Sequence, residues 1–181
     1  VDNVGPRNVI NLAEKIGIDT SLMEEYPSIA LGSVEVSLYD MVGAYGTFAN
    51  KGVYTTPYMI SRIEDKNGTV LFQHTPETKD VLSEEAAYVT VSLMEGVTRH
   101  GSGARLRGKS LVNNSFYKKV VTGYPYNFSN PIAGKTGTTQ NNSDGWFMGM
   151  VPNLVTGVWS GAEDRATHFS NTRYGQGATM A

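Results

Sequence analysis

The chain has 181 residues, 15 basic and 17 acidic side chains and a formal net charge of −2, a balance that implies no polyanion partner; with no basic stripe interleaved with aromatics, nucleic-acid binding has no support. Its 40% hydrophobic content is enough to build a core, so the chain fits one domain or part of one, and the absence of cysteine excludes disulfides, thiolate catalysis and cysteine-ligated metals without fixing the compartment. No apolar run approaches a membrane span and Val1-Asp2-Asn3 does not begin a signal peptide, so the chain as given reads as soluble.

In chain order, Pro6 through Ile16 reads as a helix, with Pro6 in its first turn, Val9, Ile10, Leu12, Ala13 and Ile16 at helical spacing, and Gly17 ending it. Asp19 to Ser33 reads as irregular. Ser37 is placed as the N-cap of a second helix to about Ala49, with Leu38, Met41, Val42, Tyr45 and Phe48 as its apolar stripe and Asn50-Lys51-Gly52 as its stop. Tyr58 to Ile63 and Thr69 to Phe72 form the strands of a peripheral hairpin around Asn67-Gly68. Ser83-Glu84-Glu85 opens a third helix, which runs through Tyr88, Val91, Leu93, Met94 and Val97 to Gly101-Ser102-Gly103. Arg99 and His100 suit the negative end of its dipole. Gly108 to Asn130 reads as a long polar loop with a short strand at Lys119 to Thr122, a candidate binding element, with disorder as the competing reading. The Asn-x-Ser/Thr triplets at Asn67, Asn127 and Asn141 fall in predicted turns and are read as turn chemistry.

Ile132 to Asp164 joins unusual composition to possible chemistry more densely than any other stretch. Turns at Asn141 to Gly145 and at Pro152-Asn153 make it a three-stranded antiparallel meander, and the middle strand, apolar on both alternating faces, is predicted to be covered on both sides. At period two, Thr136 and Thr138 share one face of the first strand, while Lys135, Gly137 and Thr139 look to the other. Two hydroxyls beside a lysine make a place for an anion, and Gly137 in a strand interior implies a close approach to the backbone. An ordinary core meander with a surface lysine is the competing reading of these letters alone.

Three further patterns are set aside. Gly103 to Ser110 matches the phosphate-loop spelling, but a helix precedes it and a polar loop follows, the reverse of the strand-loop-helix context which that chemistry requires. Ser115-Phe116-Tyr117-Lys118 spells Ser-x-x-Lys, yet Val120, Val121, Thr122 and Gly123 would end any helix there, so Ser115 is not taken as a nucleophile. His74, His100 and His168 lack a ligand pattern, and no metal or other cofactor is expected.

The run Ala133-Gly134-Lys135-Thr136-Gly137-Thr138-Thr139, followed by Asp144-Gly145-Trp146-Phe147 and Val155-Thr156-Gly157-Val158-Trp159, resembles the transpeptidase domain of class A penicillin-binding proteins. Ile29 to Ser37 and Ala44 to Gly52 also resemble that family, so the likeness covers most of the chain. It implies an α+β fold, an antiparallel sheet with helices packed on its faces, incomplete in this chain. Residues 1–181 would be the C-terminal portion of the transpeptidase domain, without the segment that bears the nucleophile.

The family's serine attacks the carbonyl between the two terminal D-alanines of a peptidoglycan stem peptide, releases the last one and passes the acyl group to an amine of a neighbouring strand. β-Lactams mimic the donor. By this resemblance Lys135 and the backbone N–H of Thr138 are the catalytic groups present, the lysine holding the second-motif serine and the N–H acting as an oxyanion donor. Thr136, Gly137, Thr138 and Thr139 form the substrate-binding wall. The hydroxyls of Thr136 and Thr138 would hold the donor's carboxylate, Gly137 would let the nucleophile-bearing helix approach, and the donor peptide would lie along this strand as an added one. Neither Ser-x-x-Lys nor Ser-x-Asn stands at a matching position. The expectation is therefore a soluble fragment, inactive alone, of a membrane-anchored extracytoplasmic enzyme that also carries a glycosyltransferase. A serine β-lactamase or carboxypeptidase relative, and a noncatalytic muropeptide-binding module, remain as alternatives.

Overall fold

The computed structural model describes residues 3–108, 115, 127–164 and 166–168. The chain divides into two compact units, Val1–Ser83 and Glu84–Ala181. The α+β expectation holds: the described residues form helices and small antiparallel sheets.

In the first unit, helix α1 spans Pro6–Lys15, with Pro6 at its start where a missing N–H is harmless. Ile16 is buried at its end, and Gly17 is required: at φ 87 it lies against Tyr54, whose hydroxyl would be 2.2 Å from any Cβ placed there. The segment read as irregular contains a 3-10 turn at Pro27–Leu31. Helix α2 spans Leu38–Ala49 and begins as expected, the Ser37 hydroxyl accepting from the Asp40 amide at 3.0 Å. Tyr45 and Phe48 meet edge to face, and Ala44 and Thr47 are the residues of this helix that are fully buried.

Strands β1 (Val53–Thr55) and β4 (Thr78–Asp80) pair antiparallel, a contact too short and too polar for periodicity to reveal. The hairpin is present, with its first strand shorter than expected (β2, Arg62–Glu64), its second displaced by one residue (β3, Val70–Gln73) and an irregularity at Ile63/Glu64. Its turn is organised by Asp65 as much as by Asn67-Gly68. The Asp65 carboxylate accepts from the amides of Asn67 and Thr69, both at 2.8 Å.

In the second unit, helix α3 spans Glu84–Arg99, as its capping signal predicts. Its covered face is a single row of side chains. Ala87 and Thr98 are fully buried with Val91 and Met94 half-buried between them, whereas Tyr88 and Leu93 are exposed, because the helix buries the narrower 87-91-94-98 row. The meander is present as β5 (Ala133–Thr138), β6 (Asp144–Val151) and β7 (Leu154–Gly161), in the order β5-β6-β7. Asn141 and Asn142 take the left-handed conformations foreseen for the first turn, while Asp144 and Gly145 belong to the strand instead. Buried residues lie on both faces of β6, Gly145 and Gly149 on one and Met148 and Met150 on the other, as a central strand requires. Most of the loop read at Gly108 to Asn130, including the strand read at Lys119 to Thr122, and most of the polar tail lie outside the described residues.

Candidate active site

The start of β5 is fixed to the end of α3. The Thr98 hydroxyl, in the last turn of α3, donates to the Ile132 carbonyl at 2.7 Å and accepts from the Arg107 guanidinium at 3.0 Å. Arg107 is 3% exposed and also donates to the Asn130 carbonyl. Burial, and then the nearby charge of Arg99, lowers its pKa from the ordinary arginine value, while Glu95 opposes both. Burying a guanidinium is costly unless its N–H groups are bonded; the two terminal nitrogens of Arg107 are, and those bonds hold the residues leading into β5, while its Nε is buried without a partner.

Register then sets the direction of every group on β5. Lys135 pairs with Met148, Thr136 with Phe147, Gly137 with Trp146 and Thr138 with Gly145. The hydroxyl-bearing face expected for Thr136 and Thr138 is thus the face of Phe147, and that of Lys135 and Gly137 is the face of Trp146. Trp146 is the close neighbour at Gly137, its Cβ 3.2 Å from where a glycine-to-alanine methyl would sit.

The main chain carries the chemistry most directly. The Thr139 amide donates to the Asp144 carbonyl at 3.3 Å, which makes that pair a hydrogen-bonded one. Antiparallel alternation then makes Thr138/Gly145 and Thr136/Phe147 non-hydrogen-bonded pairs, whose N–H and C=O groups point away from β6. Since β5 is the edge strand of the described sheet, the Thr138 N–H points off that edge. The exposed Lys135 ammonium reaches round to the same edge, donating to the Thr136 carbonyl at 2.5 Å. The Thr136 and Ser102 hydroxyls lie 2.5 Å apart. Thr139 closes the wall: its hydroxyl bonds the Asp144 carboxylate and the Asp144 amide, each at 3.1 Å.

The structure thus brings Lys135, Thr136 and Thr138 to one strand edge and gives Thr139 to the adjoining turn. Ser115 is exposed, and Lys118 lies outside the described residues. His74 stacks on Tyr58 at 4.1 Å between ring centroids, and among the described residues no group of three His, Asp or Glu side chains is placed to hold a metal. Sequence reasoning missed Thr98, Ser102 and Arg107. The four-residue step from Met94 to Thr98 was the available signal for the first; Arg107 was hidden inside the phosphate-loop spelling, and nothing local marked Ser102.

Comparison with known proteins is consistent with this geometry. The family described as "Penicillin binding protein transpeptidase domain" matches residues 5–165. The chain is 35% identical over 176 residues to penicillin-binding protein 1A of Aquifex aeolicus, covering 96% of this chain and 21% of the relative. It is 35% identical over 164 residues to penicillin-binding protein 2D of Bacillus subtilis, covering 91% of this chain and 22% of the relative. It therefore spans about a fifth of the length of these curated relatives. Among solved structures, penicillin-binding protein PonA1 of Mycobacterium tuberculosis superposes with a TM-score of 0.68 at 28% identity, over 89% of this chain and 42% of that one. Penicillin-binding protein 1A of Haemophilus influenzae shares the fold, with a TM-score of 0.73 at 24% identity over 98% of this chain and 29% of that one. With Lys135 to Thr138 on the edge of its meander and relatives named 1A along nearly its whole length, the chain belongs to the penicillin-binding protein transpeptidase family.

Proposed function

We propose that this chain supplies one wall of the acyl-transfer cleft of a peptidoglycan D,D-transpeptidase of class A. The observation that carries this reading is the outward-pointing Thr138 N–H, beside the Thr136 hydroxyl and the Lys135 ammonium on a strand edge that no other described strand covers. In the proposed reaction a serine Oγ from outside this chain attacks the penultimate D-alanine carbonyl. The C–N bond to the terminal D-alanine breaks, the serine proton leaves with its amine, and an amine of a second stem peptide then displaces the serine ester. The Thr138 N–H stabilises the oxyanion, a contribution of roughly a hundredfold or more for one such donor. Thr136 and Thr138 hold the donor carboxylate, and Lys135 holds the second-motif serine and keeps the local potential positive. Gly137 leaves room beside the strand, and Thr139 fixes the end of the wall.

The reading is supported by a relative's solved complex: PonA1 of Mycobacterium tuberculosis has been seen with penicillin V, at 26% identity and a TM-score of 0.63 to this chain. The substrate chemistry puts the complete protein on the outer side of the cytoplasmic membrane. Among the described residues no helix is long and apolar enough to cross one.

Intact mass after exposure to a penicillin tests the proposal, with this chain and the same gene product extended upstream compared side by side. The drug's mass is expected on the longer product only. An adduct on this chain itself would overturn the assignment of the nucleophile and direct mutation to Ser115. Reaction of neither would favour a noncatalytic muropeptide-binding module.

A further inference from the structure

We propose that Ser102 is a positioning residue for ligand carboxylates: its hydroxyl donates to the Thr136 hydroxyl and so reserves the Thr136 proton for the anion. The proposal rests on the reading of Lys135 to Thr138 as the donor-binding wall. It starts from a contact that this reading does not use, the 2.5 Å approach of the two hydroxyl oxygens. Two hydroxyls that share one hydrogen bond have one proton left over. An anion beside Thr136 is served only if the leftover proton sits on Thr136, and a hydroxyl that already accepts a hydrogen bond is the stronger donor.

Ser102 is held in place by its flanks rather than by its own side chain. The Gly103 amide donates to the Val97 carbonyl at 3.0 Å and the Ala104 amide to the Gly101 carbonyl at 3.1 Å, which turns the chain sharply at the end of α3. Gly103 is buried against Phe147, whose ring lies 3.5 Å from the point a Cβ would occupy, and Phe147 shares its sheet face with Thr136. Phe147 in turn fits because Gly134 and Gly149, its neighbours on that face, have no side chains: a Cβ on either would be 2.9 Å from the ring. The Gly-Ser-Gly turn is therefore seated on the sheet one residue pair from its target. The Thr98 bond to Ile132 ties the preceding helix to the same strand, so Ser102 meets Thr136 from a rigid support at both ends.

The test uses the upstream-extended gene product and reads the second-order rate of acylation by intact mass, with benzylpenicillin and its methyl ester as probes. Ser102→Ala is expected to slow benzylpenicillin about tenfold, the loss of one supporting hydrogen bond, and to leave the ester unchanged. Ser102→Thr, which keeps the hydroxyl, should restore the rate. In a Thr136→Val background Ser102→Ala should add no further loss, because it acts through Thr136. If Thr136→Val slows benzylpenicillin but Ser102→Ala does not, the positioning role is wrong and the wall stands. Equal slowing of acid and ester, no rescue by Ser102→Thr, or an undiminished effect on the Thr136→Val background would also overturn it. If Thr136→Val has no effect, the carboxylate-binding role of the wall itself fails, and this inference with it. Should Ser102→Ala not fold, Ser102→Gly, which also removes the hydroxyl, is read in its place with the same expected and overturning outcomes.

Discussion

At the scale of single residues, the groups proposed for chemistry and the groups that hold the strand are different, and they predict different phenotypes. Lys135 is exposed, so Lys135→Ala should change stability by no more than about 0.5 kcal/mol. In the upstream-extended product the same change should lower penicillin acylation by about a hundredfold, read by adduct formation over time. Thr98 is the opposite case. Thr98→Val keeps the shape but leaves the Ile132 carbonyl and one Arg107 N–H without their partner, and should cost about 1–3 kcal/mol in urea unfolding. Thr98→Ser, which keeps the hydroxyl, should recover most of that loss. Thr98 and Arg107 eluded sequence reasoning for the same reason: a buried polar group is recognised by its partners, and Thr98 lies 34 residues from one of them.

At the scale of elements, caps and turns supply the testable energetics. Ser37→Ala removes the acceptor of the Asp40 amide and should destabilise α2 by about 1 kcal/mol, measured as a shift in denaturant midpoint. In the β2–β3 turn, hydrogen bonds from the Thr69 and then the Asn67 amide hold the Asp65 carboxyl below the ordinary aspartate value. A depressed folded-state pKa contributes stability that is present above the unfolded-state value and is lost as pH falls through the folded one. The turn should therefore stay closed down to acid below the usual aspartate range and then open. A proton titration of Asp65 followed by NMR, with a midpoint at or above the ordinary aspartate value, would contradict this. In the meander, Gly134→Ala would place a methyl 2.9 Å from both the Phe147 ring and the Met148 carbonyl, and overpacking of that kind should cost about 1–3 kcal/mol.

At the scale of the whole molecule, the hydrogen bonds of Ser37 and of Thr98 each lie inside their own compact unit. Sites without shared partners add, so the double variant Ser37→Ala/Thr98→Val should lose the sum of the single losses to within about 0.5 kcal/mol. A larger departure in equilibrium unfolding would reveal coupling between the units. Family membership, by contrast, was legible from a short stretch. The Ala133 to Thr139 run, the Trp146 strand and the Trp159 strand pointed to the family that the match over residues 5–165 then showed.

The sequence by itself determined what neighbours along the chain dictate: the Pro6 and Ser37 helix starts, the glycine and asparagine turns, and the period-two division of β5 into a threonine face and a lysine face. These follow from backbone conformation and side-chain spacing, which act over a few residues. Tertiary structure decided which of the available groups meet. It buried Arg107, covered the 87-91-94-98 row of α3 while leaving Tyr88 and Leu93 exposed, and set Ser102 against Thr136 across 34 residues. A hydroxyl's proton goes to the acceptor that packing brings within reach, and packing is settled by the closure of distant segments on one another.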